Sequence, residues 1–252
     1  MYNKNNHYIL DTEEPLDSPL DEIEPVDESE VTPPPDPEDL LQLLTGEEAQ
    51  GRMLGARAFC EITDVRAIPH LIGLLVDDCP LVRVSAAYAL GRNTSTEAVK
   101  PLIATLNQDW NGYVRKGVVW ALGNCRDRRC LQPLIHALKT DIPAVRLWAA
   151  SSLAQIGALD YEHTVAAIPP LIQGLRRDPT ACVRSNCAWS IGQLCRELNF
   201  NVVYATAIDA LLEALVEDED VGVKEDAKAA LLRVGDPRGL QMIEELELEG
   251  LV

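Results

Sequence analysis

Residues 99–123 read VKPLIATLNQDWNGYVRKGVVWALG, and the unit they form occurs five times along the chain. One anchor is a leucine, at Leu71, Leu102, Leu134, Leu171 and Leu211. The second is a valine followed by a base: Val82-Arg83, Val114-Arg115, Val145-Arg146, Val183-Arg184 and Val223-Lys224. The two anchors always lie 11 or 12 residues apart, and an aliphatic residue stands eight past each valine, at Leu90, Leu122, Leu153, Ile191 and Leu231. Ahead of each base, by five or six positions, is Asp77, Asp109, Asp141, Asp178 or Asp218. Self-similarity at so many positions identifies a repeat protein.

Each unit reads as two helices. The first opens on a proline near its start (Pro69, Pro101, Pro133, Pro169-Pro170), where a missing N–H costs nothing. The second carries residues 0, +4 and +8 from the valine on one face, as in Val114, Val118 and Leu122, a narrow apolar stripe. A lone hairpin of this kind leaves apolar surface exposed, whereas stacked hairpins share one core. The recurrent Asp and Arg fall where one turn meets the next, so they are expected to form a ladder that fixes the rotation between units.

The pattern resembles the HEAT repeat over roughly Leu40 to Gly235, and its small, alanine-rich form is similar to the phycobilin lyase family of cyanobacteria. It also resembles the cyanobacterial HEAT-repeat proteins that associate with the A-type iron–sulfur scaffold. The resemblance implies an all-α fold: an ARM-type α-solenoid of about six stacked hairpins over residues 39–252. The sixth hairpin is a degenerate N-terminal cap built from Leu40-Leu41, Leu43-Leu44, Arg52, Ala56 and Phe59, and DPRGLQMIEELELEG after Gly235 reads as a closing helix.

Residues 1–38 hold twelve acids against Lys4 alone, with seven prolines, and are expected to be a disordered acidic tail, either a solubiliser or a partner-binding segment. From Glu213 onward the balance is again acidic, with twelve acids and four bases, so the chain's net charge of −18 sits at its ends. No helix carries a basic stripe, which argues against nucleic acid. No run of 18 apolar residues occurs, so no membrane span is expected. Seven cysteines without regular pairing fit a reducing, cytoplasmic setting.

Two inserted stretches, Ala158–Thr164 and Arg196–Thr206, are expected to lie close together at one edge. On the second helices, positions +3, +6 and +10 point away from the apolar stripe. They place Tyr88, Trp120 and Trp189 in one register, Trp148 beside them, and Arg92, Asn124, Gln155 and Gln193 as polar flanks. These eight residues are the candidate partner-binding groove, since Trp, Tyr and Arg are the types that anchor interfaces. The alternative for the tryptophans is packing between units. Cys125, Cys130, Cys182 and Cys195 are candidate metal or iron–sulfur ligands only if thiols near helix ends and arginines are acidified; their spacing lacks a CxxC pair, and no metal is assigned. No catalytic constellation appears. The expected function is a non-catalytic scaffold that binds another protein, an iron–sulfur assembly or a phycobiliprotein-related partner, with no resident cofactor. The alternative implied by the resemblance is lyase-type attachment of a bilin to phycobiliprotein cysteines.

Overall fold

The computed structural model describes residues 36–250, which are all-helical. Twelve of the helices pair into six hairpins: α1 (Pro37–Leu44) with α2 (Ala49–Ala58), α3 (Ala67–Leu74) with α4 (Pro80–Arg92), and α5 (Val99–Gln108) with α6 (Gly112–Cys125). The others are α7 (Leu131–Thr140) with α8 (Pro143–Gly157), α9 (Tyr161–Arg177) with α10 (Ala181–Cys195), and α11 (Val202–Glu217) with α12 (Val221–Val234). The closing helix is α13 (Pro237–Leu248). The expected tail lies outside the described residues except at its last positions. There Asp36 caps α1 by accepting from Glu38 N, and Pro37 and Glu38 form the first turn, so the stack begins ahead of residue 39.

The core follows the register read from the repeats. Each anchor leucine and each 0, +4 and +8 residue of the five second helices is fully buried. The hairpins stack because the second helices press directly on one another, and small residues permit it. A Cβ at Gly91 would stand 2.4 Å from the Trp120 ring, and one at Gly192 would stand 2.8 Å from Ala230 Cβ. Ser152 and Ser190 donate across these contacts to Val119 O and Ala150 O, both at 3.0 Å.

Five rungs of the ladder form. Arg52, Arg83, Arg115, Arg146 and Arg184 pair with Asp77, Asp109, Asp141, Asp178 and Asp218 of the following unit, at 2.6–2.8 Å. Each guanidinium also donates to a carbonyl of its own turn, as Arg83 does to Asp77 O and Asp78 O. One side chain thus clamps two successive turns. The last base of the five, Lys224, is followed by the single helix α13 and donates to Val216 O instead.

Burial works against the charges of Asp77, Asp178 and Asp218, but hydrogen bonds from the paired arginine and from the backbone N–H two residues on outweigh it, leaving these carboxyls below their usual range. A depressed folded value stabilises the fold above the unfolded carboxyl value of about 3.9 and is lost as pH falls below it. The urea midpoint should therefore drop on acidification below about pH 4. Asp178→Asn should flatten that dependence; an unchanged slope would remove the rung as its cause.

The prolines open first helices as expected, with one exception. Residues Tyr161 onward join α9, capped by Asp160, which leaves Pro169 and Pro170 in the helix interior. The first inserted stretch is thus mostly helix rather than loop, while the second divides between the loop 196–201 and the start of α11, where Asn201 caps. No helix among the described residues is long and apolar enough to cross a membrane.

Candidate functional site

Six of the eight groove residues divide between two clefts on the second-helix face. Tyr88, Arg92 and Trp120 line the first, a cleft of about 470 Å³ completed by Met53, Arg57 and Cys60. Tyr88 and Trp120 touch at 5.4 Å between ring centroids. Trp120 also lies over Gly91, where no side chain could fit, so its ring fills the joint between α4 and α6. Burial pushes the Tyr88 phenol up, and the Cys60 thiol likewise. Arg92 donates from Nε to Cys60 O, which tethers it across the mouth. Arg57 is the cleft's other cation, and Glu61 also lines it.

Gln155, Trp189 and Gln193 line the second cleft, about 660 Å³, at the C-terminal ends of α8 and α10. Its remaining wall comes from the two inserted stretches: Ala158, Asp160, Tyr161 and Thr164 from one, and Arg196 to Asn199 from the other. The expectation that these stretches meet is met directly, since Asn201 Nδ2 donates to Tyr161 Oη at 3.4 Å. Trp189 is exposed, and Tyr161 and Phe200 more so. Asp160 is held by His163, whose backbone N–H donates to Oδ1 and whose Nδ1 lies 2.8 Å from it, while Arg128 stands 2.7 Å from Oδ2. The His163 side-chain contact, then its N–H, keeps the Asp160 carboxyl below its ordinary value.

The other two groove residues line neither cleft. Trp148 is half-buried with the Lys116 ammonium 5.6 Å from its ring centroid, and Asn124 is half-buried at the end of α6. The +3 position does not point outward in every unit: Ser85 and Gly117 are buried there, and Gly117 backs onto Ala87 and Tyr88 of the preceding second helix. Tyr161, Arg196, Leu198 and Asn199 went unread among the site residues. The signal that could have found them was the insertion itself, since inserted segments of a rigid scaffold are where binding residues collect.

Three of the candidate cysteines are not acidified thiols. All seven cysteines are free thiols. Burial pushes Cys125 up to about 11 and Cys130 and Cys195 up to about 12, the reverse of the acidification that ligation by exposed thiolates needs. The neighbouring Arg129 is spent on Asp127 and Thr96 O, so it does little for either thiol. Cys187 is buried in the core, as its +4 position required. Cys182 alone of the candidates is exposed. Among the described residues no three His, Cys, Asp or Glu side chains gather to hold a metal ion. A thiol titration of native protein should accordingly show Cys182 reacting first and Cys125, Cys130, Cys187 and Cys195 only on unfolding; fast reaction of Cys125 would contradict its burial.

Comparison with known proteins places this architecture. The model for HEAT repeats matches residues 37–115, 99–192 and 168–249. The bilin biosynthesis protein RpcF of Synechococcus sp. (strain WH8020) is 39% identical over 101 residues, 40% of this chain and 47% of that protein, so the match spans about half of the relative's length. The uncharacterized phycocyanin operon protein Z of Pseudanabaena tenuis (strain PCC 7409) is 25% identical over 173 residues, 66% of this chain and 78% of that one. Among solved structures, the complex of CpcE and CpcF of phycocyanin lyase from Nostoc sp. PCC7120 aligns with a TM-score of 0.56 at 21% identity, covering 91% of this chain and 100% of that one. A designed armadillo repeat protein in complex with the peptide (KR)4 aligns at 0.57 and 21%, covering 79% and 98%. At such identity the two structures speak for the fold.

Proposed function

This chain belongs to the HEAT-repeat family, and from that premise we propose that it is a non-catalytic scaffold that binds a partner protein on its second-helix face. The observation that carries this reading is the second cleft, where Trp189 stands exposed between Gln155 and Gln193 and is walled by both inserted stretches. An exposed tryptophan between amide side chains, set on helices whose cores are locked, has the composition of an interface anchor. The relatives that concern bilins and phycocyanin favour a phycobiliprotein-related partner over an iron–sulfur assembly.

The test uses the full chain as bait in its native host. Partner retained by the wild type should be lost with Trp189→Ala and kept with His70→Ala, on the exposed side of α3. Equal retention by both variants would move the partner off the second-helix face.

A second reading, lyase-type handling of a bilin as substrate, is favoured by the 39% identity with RpcF. An open-chain tetrapyrrole carries two propionates on a flat conjugated body. The first cleft offers Arg57 and Arg92 to the acids and the Tyr88–Trp120 pair to the rings. Incubation of the chain with a bilin and an apo-phycobiliprotein separates the two. The scaffold reading expects no covalent adduct from this chain alone, and an adduct lost with Arg92→Ala would replace it.

A further inference from the structure

The opposite kind of surface lies along the edge formed by the turns within each hairpin. Trp110 in the turn before α6 and Tyr113 in the first turn of that helix are exposed at 76% and 75%, and Val76 in the turn before α4 at 82%. Val76 and Trp110 border one cleft of about 420 Å³ together with Ile72 and Ala104. The Ile142 side chain of the next turn reaches back to where a side chain at Gly112 would stand. Trp110 follows the ladder residue Asp109, a position held by Asp78, Pro179 and Glu219 in other turns, so the stack does not need an aromatic there. Folding gains nothing from leaving these side chains in water, and contiguous exposed apolar surface of this kind marks an interaction site.

Charge selects the occupant. Asp77 and Asp109 border the cleft but are neutralised by Arg52 and Arg83, and the Arg83 guanidinium lies 6.0 Å from the Trp110 ring centroid. Asp78 makes no ion pair among the described residues, so the patch carries one uncompensated negative charge. A second copy would face this edge with the same acid, in a chain of net charge −18. We infer that the turn edge over α3 to α8 is a second docking surface, taking a segment of another protein that presents apolar side chains beside a lysine or arginine. Such a segment covers Trp110, Tyr113 and Val76 and sets its cation against Asp78.

Three short fluorescent peptides test this on the full chain at physiological salt: alternating Leu-Lys, alternating Gly-Lys and alternating Leu-Glu, read by anisotropy. The Leu-Lys peptide should bind, with the other two about tenfold weaker or worse. The double substitution of Trp110→Ser with Tyr113→Ser should weaken the Leu-Lys peptide about tenfold, and Asp78→Asn by about threefold. Trp189→Ser should leave that affinity unchanged, which keeps this surface separate from the second-helix face. Equal binding of Leu-Lys by the wild type and the Trp110/Tyr113 variant would overturn the inference, as would equal binding of Leu-Glu. So would a dimer of the wild-type chain that the double substitution converts to monomer, since a second copy would then be the occupant.

Discussion

Arg83→Ala should lower the unfolding free energy by about 3–5 kcal/mol, the range for removing one partner of a buried, hydrogen-bonded ion pair. Arg83 and Asp109 pair at 2.6 Å with side chains only 9% and 6% exposed, and the loss would leave Asp109 without its countercharge. The same change frees Asp77 O and Asp78 O, so two successive turns lose their common clamp. Lysine cannot span a carboxylate and two carbonyls in one plane, and Arg83→Lys should recover only part of the loss. Lys224→Ala is the internal control. Its ammonium bonds a single exposed carbonyl, and its removal should cost less than about 1 kcal/mol. Denaturant titration of the three variants reads all of this; a loss at Arg83 no larger than at Lys224 would reduce the ladder to surface ion pairing.

The second large effect separates two tryptophans that the repeat register treats alike. Trp120→Ala should destabilise the chain by about 3 kcal/mol, because its ring fills the joint over Gly91 and against Tyr88. Trp189→Ala should change stability by about 0.5 kcal/mol or less, yet weaken the partner by about 2 kcal/mol, roughly thirtyfold. Its side chain is exposed at the mouth of the second cleft. Melting curves and a titration with the captured partner give both quantities. Parallel losses of stability in the two variants would make Trp189 a packing residue as well.

The difference between those tryptophans marks how far the sequence could be read. The repeat gave the core residue by residue, because a position that must be buried in every layer tolerates only aliphatic or small side chains, as Val114, Val118 and Leu122 show. The ladder was legible for the same reason: a base and an acid at constant offsets have one geometry that satisfies both. Position +6 carries no such constraint. Whether its side chain folds down depends on the neighbouring helix, and only Gly91 opens a seat for Trp120. The second cleft was partly hidden because its wall comes from segments without a repeat register. Tyr161 lies within α9, where two interior prolines masked the true start of the helix at the Asp160 cap. Cysteine acidity depends on burial, which the flanking arginines of the sequence did not reveal; Arg129 turns to Asp127.

Hydroxyl-radical footprinting of the full chain, free and with its captured partner, tests the scaffold assignment most directly, since it reads side-chain exposure residue by residue. Oxidation of Trp189 and Tyr161 should fall on binding, while that of Trp120, already seated, should change little. Undiminished oxidation of Trp189 in a saturated complex, with protection confined to the first helices α3, α5, α7 and α9, would contradict that assignment.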